Sequence, residues 1–321
     1  MKRFVLALSF VFIAACSSEA HDLDTSSPQS FVASLIEAPK SELDFGQAKL
    51  AVDKFADSAV DDAALGTQLD GLVATIRKML ATLPAEVTAT DVEKLNALRA
   101  FVYEAGWWND NRPFQYDLSD PLGQTPGAQA LPTYLATRKG NCVSMPMLFV
   151  ALGERLGLEM TLSTAPLHVF VKWTEQATGK TWNLEATSGA GFTRVEHYRK
   201  IMPMTDEAIR NGVYLKTLSR KEALSVIATG VVDHLLRIGR YEEAIAVADV
   251  LIAAYPANVY ALTKKGTAYY RLLKRDIIDK YPTEADIPTD KLAYATGLYR
   301  ANQEAFARAE ALGWREPEMN Q

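Results

Sequence analysis

Apolar residues recur at three- and four-residue spacing along the first third of the chain, and that spacing predicts helices from residue 30 to about 105. The segment Gln47-Ala-Lys-Leu-Ala-Val-Asp-Lys-Phe-Ala-Asp57 carries the pattern, and Leu69 to Leu83 repeats it up to Pro84. A third run follows the capping residues Thr88 to Asp91 through Leu95, Leu98, Phe101 and Val102. These helices have polar faces and no metal-ligand spacing, so packing is their default role, and Asp61-Asp62 reads as solvated helix surface. Between Trp107 and Pro132 the pattern stops, and Asn109, Asn111, Pro113, Asp117, Asp120, Pro121, Gly123, Pro126 and Gly127 mark a long loop. A dense apolar helix is then expected from Asn141 or Cys142 through Met145, Leu148, Phe149, Leu152 and Leu156 to Gly157, with Pro146 in its first turns. Two strands follow, His168-Val-Phe-Val-Lys-Trp173 and Thr181-Trp-Asn-Leu-Glu185, joined through Ala177-Thr-Gly-Lys180 as a hairpin turn. The chain turns helical again from about residue 222, with a last helix over about 291–312.

Composition adds a core and removes a partner. Hydrophobic residues make up 48% of the 321, and the net charge is −5 with no basic run or stripe, which argues against nucleic acid. The N-terminus has the form of a processing signal: Lys2 and Arg3, an apolar run from Phe4 to Ile13, then Ile13-Ala14-Ala15-Cys16. That run is about half the length needed to span a bilayer. Small residues before a cysteine resemble the lipobox of bacterial lipoproteins, which implies cleavage before Cys16 and diacylation of its sulfur. An ordinary secretory signal with an incidental cysteine is the alternative. Ser17, with no acidic residue in its place, points to an outer-membrane lipoprotein facing the periplasm. The polar stretch to Gln29 reads as a flexible tether.

The lipobox uses one of the two cysteines, so Cys142 has no partner for an intramolecular disulfide. Such a thiol is either buried and inert or used. It sits in Arg138-Lys-Gly-Asn-Cys142 at the expected start of the apolar helix, where free N–H groups favour negative charge and can hold an oxyanion. Gly140 allows a tight turn into that helix and Asn141 suits its N-cap. Of the four histidines, His21 falls in the tether, His197 in a surface segment and His234 on a C-terminal helix. His168 opens an apolar strand, where an imidazole without a partner is costly. It is therefore a base for the thiol, or a core histidine held by a carbonyl. If Trp173 pairs with Lys180, His168 falls opposite Glu185, which then orients the ring. Trp107, Trp108 and Tyr116, with Asn141, are candidates to line a substrate groove; anchoring the loop to the core is the other role open to the aromatics.

Gly140-Asn141-Cys142, Leu167-His168-Val169-Phe170-Val171 and Trp182-Asn183-Leu184-Glu185-Ala186-Thr187 resemble the transglutaminase-like core in order and local context. The resemblance implies a papain-like α+β fold with a small antiparallel sheet. It implies Cys142 as nucleophile, His168 as base and Glu185 in the place usually taken by Asp. Gly239-x-Tyr241 with Ala244, then Pro256, resembles a tetratricopeptide repeat, and a second unit opens at Leu262 and departs from the pattern after Lys274. The division expected is a lipoprotein signal over 1–15, a tether over 16–29, an N-terminal helical region over 30–105, the core over 106–215 and a tetratricopeptide-like region over 216–321.

Two functions fit these features. One is a cysteine-nucleophile acyl-transfer enzyme of the envelope, hydrolysing amides or cross-linking them, with peptides or envelope proteins as substrates. The other is a non-catalytic binding module that uses the core and the repeat-like helices to hold a protein partner. A redox thiol is a third use for Cys142, but no resolving cysteine neighbours it. No phosphate-binding glycine loop, paired-cysteine or His-x-x-x-His spacing, or Gly-x-Ser-x-Gly elbow occurs, so no metal or other cofactor is required.

Overall fold

A computed structural model describes residues 23–84 and 90–317. Cys16 with its signal segment, His21 and Thr88 lie outside the described residues. Helix α1 (Pro28–Glu37) opens on the Ser27 hydroxyl, and α2 (Phe45–Ala56) on a reciprocal cap between Asp44 and Gln47. Helix α3 (Asp62–Leu80) starts well before the apolar run that predicts it. Its N-cap is Asp61, whose carboxylate accepts from the Ala64 N–H, so the acidic pair begins a helix instead of decorating one. Helix α4 (Asp91–Tyr103) is capped by Thr90.

The stretch read as one long loop contains structure. A 3₁₀ turn spans Trp107–Asn109, and β1 (Gln115–Tyr116) pairs in parallel with β2 (Lys139–Gly140). A short helix, α5 (Leu131–Thr137), lies between them. Helix α6 (Ser144–Arg155) is buried at every position from Ser144 to Glu154, as a helix surrounded by protein must be. Its neighbours are α2, α3, α4, α5 and the sheet.

That sheet is an antiparallel meander of four strands in chain order: β3 (Glu159–Ala165), β4 (His168–Glu175), β5 (Lys180–Glu185) and β6 (Gly191–Thr193). Two of the four, β3 and β6, add to the expected hairpin. The hairpin is also longer, because Thr174 and Thr181 continue the ladder with their hydroxyls 3.0 Å apart, and Gly179 (φ +68°) tightens the turn. Trp173 consequently pairs with Trp182 and Glu175 with Lys180, a slip of two residues from the expected register. A slip of two keeps each side chain on its own face. Leu162, Val171 and Leu184 bury one face.

The outer edge of β3 is covered by the chain itself. Segment 213–218 runs along it, Leu215 N–H donating to Thr164 O at 2.9 Å and Leu218 N–H to Leu162 O at 3.2 Å. The Thr161 and Thr164 hydroxyls reach across to Leu218 O and Val213 O. Between β6 and this strap lie α7 (Val195–Ile201) and α8 (Asp206–Arg210).

After the strap come α9 (Arg220–Ile227), α10 (Thr229–Arg237), α11 (Tyr241–Ala254), α12 (Val259–Leu273) and α13 (Thr289–Ala311), each of the last three packed on its predecessor. A single π turn, Lys274–Ile278, ends α12 where the repeat-like pattern departs. The N-terminal helices join this region to the core: α1 lies against α11, α2 against both α10 and α6, and Phe55 of α2 meets the His234 ring edge-on at 5.7 Å. The architecture is α+β, with helical regions on both sides of a small sheet.

Candidate active site

Cys142 is placed by a short, crowded turn. Gly140 ends β2 against the Tyr134 ring and Met145, and a Cβ there would lie 2.6 Å from Tyr134 and 2.8 Å from Met145. Its φ is not in the left-handed region, so close packing requires the glycine and not the expected tight turn. Arg138, at φ +59°, takes the left-handed position that ends α5. Regular helix begins at Ser144, two or three residues beyond the expected start at Asn141 or Cys142, although the ladder opens when Met145 N–H donates to Asn141 O at 3.1 Å.

Asn141 is buried and fully engaged. Its Oδ1 accepts from the Val143 and Ser144 N–H groups at 3.0 and 3.1 Å, and its Nδ2 donates to Ala128 O at 2.8 Å. It therefore caps the turn and ties the 117–130 loop beside the thiol; its amide is not free to line a groove. The cap also consumes two N–H groups of the first turn, while the N–H of Cys142 itself makes no hydrogen bond among the described residues.

The opposite wall is the β3–β4 turn. Ala165 pairs with His168 across Pro166 and Leu167, and Leu167 adopts φ +55°, a strained setting for a branched side chain. That conformation aims the Leu167 carbonyl at Cys142 Sγ, 3.6 Å away. His168 Nε2 lies 2.9 Å from Glu185 Oε2, with both side chains nearly buried. Glu185 Oε1 accepts from the Thr187 N–H at 3.1 Å and from its hydroxyl at 2.6 Å.

Burial alone would lower the His168 pKa, but hydrogen bonding to Cys142 and Glu185 outweighs it and raises the value to about 9. Burial would likewise raise Glu185, and the His168 and Thr187 bonds reverse it, holding the carboxyl below its ordinary value. The structure thus brings Cys142, His168 and Glu185 together, the imidazole paired with the carboxylate and the sulfur against the carbonyl of the adjoining Leu167.

The groove candidates divide. Tyr116 is half-buried near both Cys142 and Glu185, its pKa raised by burial and then by those two groups, and its hydroxyl donates to Pro121 O at 3.1 Å. Trp108 anchors the loop, its indole N–H shared between Ala100 O and Glu104 O. Trp107 is exposed and meets Trp108 edge-on. Of the other histidines, His197 is exposed and His234 packs on Phe55 beside Arg237.

Three contributors escape sequence reasoning. Thr187 carries a weak signal, a hydroxyl two residues after an acid. The Leu167 carbonyl and Tyr198, whose ring meets His168 at 6.3 Å, carry none, because only folding brings them to the site. Among the described residues no group of three His, Cys, Asp or Glu is placed to hold a metal ion. Cys142 is only 5% exposed.

The family model described as the transglutaminase-like superfamily matches residues 63–227, just over half of the chain. That span contains Cys142, His168 and Glu185. Comparison with curated proteins and with solved structures found no match.

Proposed function

Because the chain belongs to the transglutaminase-like superfamily, we propose that it is a cysteine-nucleophile acyl-transfer enzyme of the cell envelope. The observation that carries this reading is the His168 Nε2–Glu185 Oε2 contact of 2.9 Å, with the Cys142 sulfur 3.6 Å from the carbonyl of the adjoining Leu167. With Nε2 on the carboxylate, the nitrogen left for the thiol is Nδ1.

Cys142 gives its proton to His168, and the sulfur attacks an amide or ester carbonyl. The Cys142 N–H, unspent by the Asn141 cap, holds the oxyanion. Collapse breaks the carbon–nitrogen bond of an amide, or the carbon–oxygen bond of an ester, while His168 returns the proton to the leaving amine or alcohol. Water, activated by the now neutral His168, releases the acyl group and regenerates the thiol. An amine in its place gives a cross-link, but it needs a subsite of its own, so hydrolysis is the favoured outcome. Glu185 orients the ring and stabilises its cationic form throughout.

The envelope setting rests on the N-terminal sequence: a lipid on Cys16 would anchor the chain to the outer membrane, facing periplasmic peptides and envelope proteins. Helices α10–α13 would offer a tetratricopeptide-like surface to a protein partner. The second reading, a non-catalytic binding module, has one observation in its favour, the near-complete burial of the thiol.

Iodoacetamide alkylation of Cys142 against pH separates the two. The enzyme predicts rapid labelling at neutral pH that falls by roughly tenfold or more in His168→Ala. Labelling that rises only near the ordinary thiol range and is indifferent to His168 leaves the binding module.

A further inference from the structure

Tyr198 stands against the His168 ring, beside the His168–Glu185 pair. It projects from α7, is fully buried, stacks on Phe170 with ring centroids 4.3 Å apart and meets His168 in a tilted contact at 6.3 Å. Burial raises its hydroxyl well above the ordinary tyrosine range, and the charge of the nearby Glu185 carboxylate adds to the rise. Yet the hydroxyl has no hydrogen-bond partner among the described residues. A phenylalanine would keep the stacking and avoid burying an unsatisfied hydroxyl. The stacking therefore does not account for the oxygen.

In the resting arrangement Glu185 has no need of another donor, since His168 and Thr187 occupy both of its oxygens. That changes once His168 passes its proton to a leaving group. A neutral imidazole then faces a buried carboxylate that has lost its counter-charge, a costly arrangement.

We propose that Tyr198 is a positioning residue of this site, its hydroxyl turning onto the Glu185 carboxylate when His168 is neutral and releasing it when the ring is protonated again. The proposal rests on the reading of Cys142, His168 and Glu185 as a catalytic set. The titratable groups around this corner are Cys142 before α6, His168 on β4, Glu185 on β5, Tyr116 on β1, Tyr103 and Arg99 on α4, and His197 beside Tyr198 on α7. A donor that serves the carboxylate only beside a neutral ring favours that neutral ring. Removing it should make His168 harder to deprotonate.

The test is the titration of the His168 ring by NMR in the full chain, assigned with His168→Ala. In Tyr198→Phe the midpoint should move upward by roughly half a unit, and the alkylation profile of Cys142 should move with it. Thermal melting should leave Tyr198→Phe at least as stable as the wild type, since the resting hydroxyl is unbonded. A midpoint that is unchanged or lower, or a lower melting temperature, overturns the proposal. Glu185→Gln keeps the two failures apart. If it does not lower the His168 midpoint, the catalytic reading itself is wrong; if it does while Tyr198→Phe superimposes on the wild type, only the role of Tyr198 falls.

Discussion

At the scale of single residues, the site is a charge arrangement held by few atoms. Glu185 meets an imidazole, a hydroxyl and a backbone N–H, and the Cys142 sulfur lies against the carbonyl of Leu167, the residue before His168. Continuing the observed register sets Glu185 opposite Phe170. Its carboxylate must then reach His168 diagonally, a task the longer side chain suits better than Asp. The pair also ties stability to pH with a definite sign. His168 is raised to about 9 from 6.5, so its contribution is complete below the ordinary value and lost as pH climbs through 9. Glu185 is depressed, so its contribution is present above its ordinary 4.5 and lost as pH falls through its folded value. The advantage of wild type over His168→Gln should therefore be greatest between about pH 5 and 6.5 and shrink by on the order of 3 kcal/mol as pH passes 9. Denaturant melts across that range measure it, and a pH-independent difference would mean a ring neutral throughout.

At the scale of elements, the position of the Cys142 thiol depends on how closely β2 approaches α5 and α6. Gly140→Ala forces a methyl into the Tyr134 ring and Met145, both buried, and should cost about 1–3 kcal/mol. Urea unfolding gives that number; a neutral substitution would show that the turn carrying Cys142 relaxes freely. The same elements mark how far the sequence could be read. The apolar run of α6 and the three short motifs were enough to locate the sulfur, the imidazole and the carboxylate, because each sits at the end of a strongly patterned element. The register was not legible, since it depends on where Thr174 and Thr181 stop pairing; its parity was, and parity alone put His168 and Glu185 on one face. Helix α5 escaped because seven residues containing a proline give no periodicity. Strand β3 did show alternation in Met160, Leu162 and Thr164, yet its place beside His168 follows only from the Pro166-Leu167 turn.

At the scale of the whole molecule, one buried carboxylate links all three regions. Glu154, near the end of α6, accepts from the Phe45 N–H at the start of α2 at 2.8 Å and from Arg220 of α9 at 3.1 Å, with Lys40 at 3.4 Å. The next residue, Arg155, pairs with Asp44 at 2.7 Å and Asp70 at 3.0 Å. Glu154→Ala leaves the Phe45 N–H without its acceptor and the Arg220 guanidinium with only the Leu43 carbonyl, and should cost about 1–3 kcal/mol. Fluorescence and circular dichroism followed together in urea should show a lower midpoint than wild type. An unchanged midpoint would mean that the three regions are held by apolar contact alone.

The strap over β3 has a consequence for how this chain behaves when it is incomplete or partly open. A bare strand edge is a template, able to recruit the first extended segment it meets, from the same molecule or another. Here the recruit is supplied in advance by the linker that leads into the C-terminal helices. Fraying of that linker would therefore do more than loosen a connection, since it would turn the sheet that carries His168 into a nucleus for aggregation.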